Sequence, residues 1–309
     1  MDEIAEAAQR IGPHIRRTPL LECRRLGDEL GAKVFVKAEN LQHTGSFKVR
    51  GVFNHLLRRQ ERGELPTGVA TFSAGNHAAA VSFAAQRLGI PAVVCMMTTA
   101  VAEKVEAVRR HAGEVVLTDD LFGTCRHVAA ERGFEVLHPF DDADVIDGHG
   151  TVGREILEDA EPDMVVVPVG GGGLISGIAT AVKLGSPRTR VVGVEPGTAN
   201  AMSHALRVGR PETLPVPPRS LADGLAAPFA GKLTLERVRA HVDGVVEIPE
   251  ASIADAWWRM LDATKLLVEP SAAVGLAAIR NGVITVDRHA TVVLVLSGGN
   301  ASRRALADL

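Results

Sequence analysis

Four short segments of this chain combine residue types that could do chemistry. The richest is Val165-Val166-Val167-Pro168-Val169-Gly170-Gly171-Gly172-Gly173-Leu174-Ile175-Ser176, an apolar run that passes into four glycines and then a helical pattern. Glycines let backbone N–H groups approach an anion, and a helix N-terminus adds favourable partial charge, so the loop reads as a phosphate cradle. The second is Thr44-Gly45-Ser46-Phe47-Lys48-Val49-Arg50-Gly51. A lysine in a sheltered cleft at a helix start has a lowered pKa, which an amine nucleophile needs. The third, Ser73-Ala74-Gly75-Asn76-His77, follows the apolar run Val69–Phe72. Its N–H groups could bind a carboxylate, and the Asn76 amide both donates and accepts. The fourth is Ser297-Gly298-Gly299-Asn300, after Thr291–Leu296.

Other chemistries are disfavoured by spacing. A GxGxxG dinucleotide fingerprint fails in both registers, ending on Ile175 from Gly170 and on Ser176 from Gly171. No GxxxxGK[ST] occurs, and a GxSxG elbow around Ser73 would need glycine at Thr71. A phosphate monoester suits the glycines better than a pyrophosphate. Cys23, Cys95 and Cys125 are far apart and odd in number, against a disulfide framework or zinc site. Cys95 reads as a small buried hydrophobe.

The elements that must position these segments are legible as a repeating pattern. Short β-branched runs at Val34–Val36, Val69–Phe72, Ala92–Met97, Glu114–Leu117, Met164–Val169, Arg190–Val194 and Thr291–Leu296 alternate with helical stretches. Gly89, Gly113, Gly133 and Gly185 are expected as left-handed helix caps. Apolar strands separated by helices predict an α/β fold with open, mostly parallel sheets covered on both faces. Polar loops at the carboxyl ends of such strands are where these sheets bind ligands. Residues 68–145 could close as a small domain, leaving 1–67 plus 146–309 as a large one.

The chain has 309 residues, 46% hydrophobic and 23% charged, with a net charge of -3. That balance argues against nucleic acid or an anionic membrane as partner. Arg58-Arg59 and Arg109-Arg110 are expected on solvated helix faces. The uncharged 19-residue stretch Met164–Val182 contains Pro168 and the glycines, so it reads as buried strand, loop and helix, not as a membrane span. The acidic start Met1-Asp2-Glu3-Ile4 lacks a signal-peptide layout, so a cytoplasmic location is expected.

Taken together and in order, Ser46-Phe47-Lys48-Val49-Arg50-Gly51, Ser73-Ala74-Gly75-Asn76-His77, Gly170–Gly173 and Ser297-Gly298-Gly299-Asn300 resemble the serine/threonine dehydratase and serine racemase family. Thr18-Pro19-Leu20, His138-Pro139-Phe140-Asp141, Ala222-Asp223-Gly224 and Val268-Glu269-Pro270-Ser271-Ala272 extend the resemblance over nearly the whole chain. It implies a fold type II pyridoxal-phosphate enzyme with a large and a small domain, and a homodimer. Lys48 would hold the cofactor as a Schiff base and then take the substrate's α-proton. Phe47 would pack against the pyridine ring, Asn76 would meet its hydroxyl, and Ser297 would face its nitrogen. Gly170, Gly171, Gly172 and Gly173 would hold the phosphate, with Leu174 opening the next helix. Ser73, Ala74, Gly75, Asn76 and His77 would hold the carboxylate of a small amino-acid substrate. Glu269 is similar to an acid near the ring.

The implied reaction is loss of water from L-threonine, L-serine or a relative such as 3-hydroxyaspartate, giving a 2-oxo acid and ammonia. A serine at the ring nitrogen stabilises a carbanion poorly, which favours expelling a β-leaving group. Racemases of the family resemble Ser-Ser-Gly-Asn-His at the second motif; Ala74 carries no such proton, so efficient racemisation is not expected. Pro196–Ala201 lacks the further acid of metal-binding relatives beside Glu195, so no metal is expected. Leu309 lies nine residues beyond Asn300, so a C-terminal regulatory domain is not expected either. Alternatives are a racemase or β-replacement enzyme, a non-catalytic nucleotide- or amino-acid-binding protein, and a nicotinamide-dependent dehydrogenase with Glu195 on the ribose. His149 is expected to hydrogen-bond or cap a turn, and Trp257-Trp258 to pack in the core or an interface.

Overall fold

A computed structural model describes residues 2–73 and 75–307. The predicted strands form two separate sheets. The larger has six strands in the order β1 (Leu20–Glu22), β2 (Lys33–Ala38), β10 (Thr291–Leu296), β7 (Met164–Pro168), β8 (Arg190–Pro196) and β9 (Gly244–Ile248). All its pairings are parallel except the edge pair β1–β2. The smaller, all parallel, runs β5 (Glu114–Thr118), β4 (Ala92–Met97), β3 (Val69–Phe72) and β6 (Glu135–Val136).

The period of a strand explains the layers. Val34, Val36, Val166, Val192, Val194, Leu294 and Leu296 enter one hydrophobic cluster with the helices Ile253–Thr264 and Val274–Arg280. Their neighbours Val165, Val167, Val191, Val293 and Val295 enter the opposite cluster with the helices Ala143–Asp159 and Gly173–Gly185. Alternate residues point to opposite faces, and both faces are covered, so the strands are apolar at nearly every position. A third cluster joins Val49, Val52, Phe53 and Leu56 of the helix Lys48–Glu61 to Ala80, Val81 and Ala84 of the helix Asn76–Leu88. That cluster also takes Val69 and Ala92, so the Lys48 helix packs directly against the smaller sheet's layer.

Several local expectations are corrected. β1, β6 and β9 are strands that the composition did not single out, and β7 stops at Pro168. Gly89 and Gly133 are left-handed caps, but Gly113 and Gly185 are not. Ala112 takes the left-handed position instead, and a side chain at Gly113 would meet Ser82. Arg58 is not on a solvated face; it pairs with Asp144 at 2.6 Å and with Glu3. Trp257 is buried, donating to the Val268 carbonyl at 2.7 Å, whereas Trp258 is exposed. The stretch Met164–Val182 folds as strand, loop and helix, and among the described residues no helix is long and apolar enough to cross a membrane.

Candidate active site

The four segments converge where the carboxyl ends of β3, β7 and β10 meet the start of the Lys48 helix. The loop after β10 is zipped to the lysine segment: Ser46 and Gly298 form an antiparallel bridge, Phe47 N donates to the Ser297 carbonyl at 3.2 Å, and Gly299 N donates to the Gly45 carbonyl at 2.9 Å. Glu269 N donates to the Gly298 carbonyl at 3.0 Å, which brings the Glu269 segment into the same cluster.

Lys48 is the first residue of its helix, and its Nζ donates to the Pro139 carbonyl at 2.7 Å. Burial lowers its pKa to about 8, against the pull of the Glu269 charge. An appreciable share of this amine is therefore unprotonated near neutral pH. Phe47 is buried, and His149 meets it edge-on with ring centroids 4.7 Å apart. His149 lies inside the helix Ala143–Asp159 rather than in a turn, and burial, then the Lys48 charge, hold its pKa well below the usual histidine value.

Asn76 opens its helix and joins three loops. Its Nδ2 donates to Glu269 at 2.9 and 3.1 Å, and its Oδ1 accepts from Asn300 Nδ2 at 2.8 Å. Burial pushes the Glu269 carboxyl up to about 7, with the Asn76 hydrogen bond opposing. Ser73 and Gly75 are half-buried in the loop after β3, and Gly75 N approaches Ser73 Oγ at 3.4 Å. His77 is buried, its Nε2 3.4 Å from the Leu137 carbonyl, and is kept neutral by burial and then by Lys48. Ala74 lies outside the described residues.

Gly170–Gly173 bend from β7 into the helix Gly173–Gly185, with Leu174 buried behind them. Gly172 has φ +93°, and a side chain there would strike Met202 and Thr234. One at Gly171 would enter the Phe140 ring at 2.4 Å. The loop's first helical N–H groups have no intrahelical partner, as at any helix start, and point at whatever fills the cradle. Nearby, the buried hydroxyls of Ser46, Ser271 and Ser297 and the His77 Nδ1 have no hydrogen-bond partner among the described residues. Buried polar atoms without partners are rare, and a cluster of them beside a phosphate cradle and a neutralisable lysine suits a polar ligand.

Two alternative sites lose their residues to structural duties. Glu195 is buried and caps the helix Ala201–Val208, accepting from Met202 N at 2.8 Å, Ser203 N at 2.8 Å and Ser203 Oγ at 2.7 Å. Both its oxygens are used, so no ribose would find it free. His55, Asp142 and Asp144 are near enough to one another to hold a cation. Each is already paired: His55 with Glu135 at 2.8 Å and Asp142 at 3.2 Å, Asp142 with Val145 N, and Asp144 with Arg58. The sequence signals for Asn300, Pro139 and Phe140 lay in the quoted motifs, but their contacts to Asn76, Lys48 and Gly171 are tertiary.

Known proteins resemble the chain along its length. The family profile described as pyridoxal-phosphate dependent enzyme matches residues 11–298. The L-threonine ammonia-lyase of Geobacter sulfurreducens is 42% identical over 98% of this chain and 76% of the relative. The serine racemase of Arabidopsis thaliana is 40% identical over 99% of this chain and 94% of the relative. The crystal structure of T.th. threonine deaminase superposes with a TM-score of 0.92 at 39% identity, covering 98% of each chain. The residues present fit that cofactor: a cradle for one phosphate, an amine for its aldehyde, and a partnerless Ser297 hydroxyl for an uncharged ring nitrogen. The chain belongs to the family of pyridoxal-phosphate-dependent enzymes, with the fold type II architecture of the threonine deaminase and serine racemase structures.

Proposed function

We propose that the protein is an ammonia-lyase that removes water from L-threonine, L-serine or a related L-β-hydroxy amino acid, releasing a 2-oxo acid and ammonia. The observation that carries this reading is the buried Lys48 amine at its helix start, its Nζ donating to the Pro139 carbonyl at 2.7 Å and its pKa lowered to about 8 by burial. Gly170–Gly173 would bind the cofactor phosphate, Phe47 would lie against its ring, and Ser297 would meet the ring nitrogen. When bound, pyridoxal phosphate supplies an electron sink that acidifies the substrate α-carbon.

The chain's own groups do the rest. Backbone N–H groups within the segment Ser73–His77 would orient the substrate carboxylate, although the Ser73 N–H itself is paired with the Cys95 carbonyl at 3.2 Å, and the Lys48 amine would take the α-proton. Asn76 is held by Glu269 and Asn300, and its amide would have to share one of these bonds to meet the ring hydroxyl. Ala74, where racemases of the family resemble serine, has no side-chain proton to give, which favours elimination over racemisation. In this reading Glu195 serves the cap of the helix Ala201–Val208, and no metal is invoked.

The same reading divides the chain into 1–67 with 146–309 and a smaller unit, 68–145. The two separate sheets support it, with the Lys48 helix as the seam. A cytoplasmic homodimer belongs to the same reading, in which a second copy would cover exposed apolar side chains such as Trp258 and Leu267. The test is 2-oxo acid formation from L-threonine and L-serine with pyridoxal phosphate added. Turnover is expected to vanish in Lys48→Ala, together with the absorbance band of lysine-bound cofactor. D-serine accumulating from L-serine faster than 2-oxo acid would instead make the protein a racemase.

A further inference from the structure

A wall of aromatic rings stands where the end of β3 meets the segment that receives Lys48 Nζ. Phe72 immediately precedes Ser73, and His138 immediately precedes Pro139, the acceptor of Lys48 Nζ. Phe72 packs on Phe122 with centroids 4.4 Å apart and on His138 at 5.4 Å. Phe229, from the loop that leads to the helix Lys232–His241, reaches Phe122 at 6.0 Å and Phe140 at 5.8 Å. The rings thus come from the elements around both sheets. Phe122 is 40% exposed although rings flank it, so the wall keeps apolar surface open.

Apart from Arg126, the charged groups flanking this wall have partners. His138 Nδ1 accepts from Phe140 N at 3.3 Å and Asp141 N at 2.9 Å. A backbone N–H can only donate, so that nitrogen carries no proton and the ring is neutral. Lys104 is held by Asp223 at 2.7 Å, and Asp141 is spent on the backbone N–H groups of Lys232 and Leu233. Arg126, one turn after Phe122 on the same helix, is exposed and is the rival candidate for meeting an anion.

We propose that this wall receives the substrate's β-substituent and that the enzyme dehydrates L-threo-β-aryl-β-hydroxy amino acids while rejecting substrates with a β-carboxylate. The inference rests on the dehydratase reading above. In the reaction the Cα–H bond breaks with its proton passing to Lys48, and the Cβ–O bond breaks as the protonated Lys48 returns that proton to the hydroxyl, which leaves as water. Water then adds to the released product and ammonia departs, giving an arylpyruvate without any oxidant. An aryl ring would stack on Phe122 and Phe229, whereas a second carboxylate would lie against apolar rings with only the exposed Arg126 to meet it.

The experiment compares kcat/KM of the holoenzyme for L-threo-phenylserine, L-threonine and L-threo-3-hydroxyaspartate. Phenylserine is expected within about 10-fold of threonine, and 3-hydroxyaspartate at least about 100-fold below it. Phe229→Ala, or Phe229→Leu should the alanine variant not fold, is expected to lower the phenylserine-to-threonine ratio by about 10-fold. Threonine turnover with phenylserine below a hundredth of it would overturn this inference and leave the dehydratase reading intact. A preference for 3-hydroxyaspartate that is lost in Arg126→Ala would overturn it too. If none of the three reacts, the dehydratase reading fails, and calorimetric titration still decides the wall: L-phenylalanine should bind more tightly than L-aspartate, and the reverse order would exclude it.

Discussion

Behind Lys48, the helix Lys48–Glu61 is anchored by a saturated charge cluster; in front of it, polar groups stand without partners. Arg50, fully buried, donates to Glu39 at 2.8 Å through Nε and Nη2, to Glu155 at 2.7 and 2.9 Å, and to Thr18 and Thr151. Lys37 completes the cluster, donating to Glu155 at 2.6 Å and to the Thr18 carbonyl at 2.7 Å. Two cations meet two carboxylates, and the cluster ties β2, the Glu39 turn, the Lys48 helix and the helix Ala143–Asp159 together. On the other side, Ser46, Ser271, Ser297 and His77 each keep a polar atom without a partner among the described residues. Two residues along a helix turn a side chain to the other face, so Arg50 and Lys48 serve opposite regions from one turn. Rigidity on one side lets the other remain unsatisfied until a ligand arrives.

The largest expected effect is at the anchor. Arg50→Ala leaves Glu39 and Glu155 buried with too few partners and is expected to cost about 3–5 kcal/mol of stability. Denaturant unfolding measures it, and Arg50→Lys should recover only part, because an ammonium cannot fork onto two carboxylates. A loss below about 1 kcal/mol would break the contrast.

In front, the expected effect is kinetic. Burial depresses the Lys48 pKa, so the reactive, unprotonated amine grows as pH rises and levels off above about 8. Pyridoxal-phosphate capture by the cofactor-free protein, followed by stopped-flow absorbance, should rise about 10-fold per pH unit below that value. A rise continuing to the ordinary lysine range would mean the amine is solvated.

The smallest effect sharpens the comparison. Ser297→Ala removes a hydroxyl that has no partner, so stability of the cofactor-free protein should change by less than about 0.5 kcal/mol. Cofactor affinity should fall by about 1 kcal/mol, the worth of one hydrogen bond, as read by equilibrium titration. Equal losses in both measurements would make Ser297 structural.

How much was legible differs from residue to residue. The glycines at 170–173 betray themselves because phosphate approach and a tight turn both exclude side chains. The apolar runs of β7, β8 and β10 were plain because both their faces are buried. By contrast β1 is a short, exposed edge strand and β6 spans only two residues, so neither carries a periodic signal. Gly113 looked like a cap, but its reason is the approach of Ser82.

By itself the sequence determined the α/β class, the parallel strands, the cradle and the four segments of the site, since local composition and period-2 burial are written along the chain. Only the tertiary structure decided that Asn76 is shared between Glu269 and Asn300, that Glu195 caps a helix, and that Arg50 saturates a buried cluster. It also gathered Phe72, Phe122, His138 and Phe229 into one wall. These are contacts between residues up to 224 positions apart, as for Asn76 and Asn300. Hydrogen bonding and desolvation act through space, so such assignments emerge only when the chain is folded.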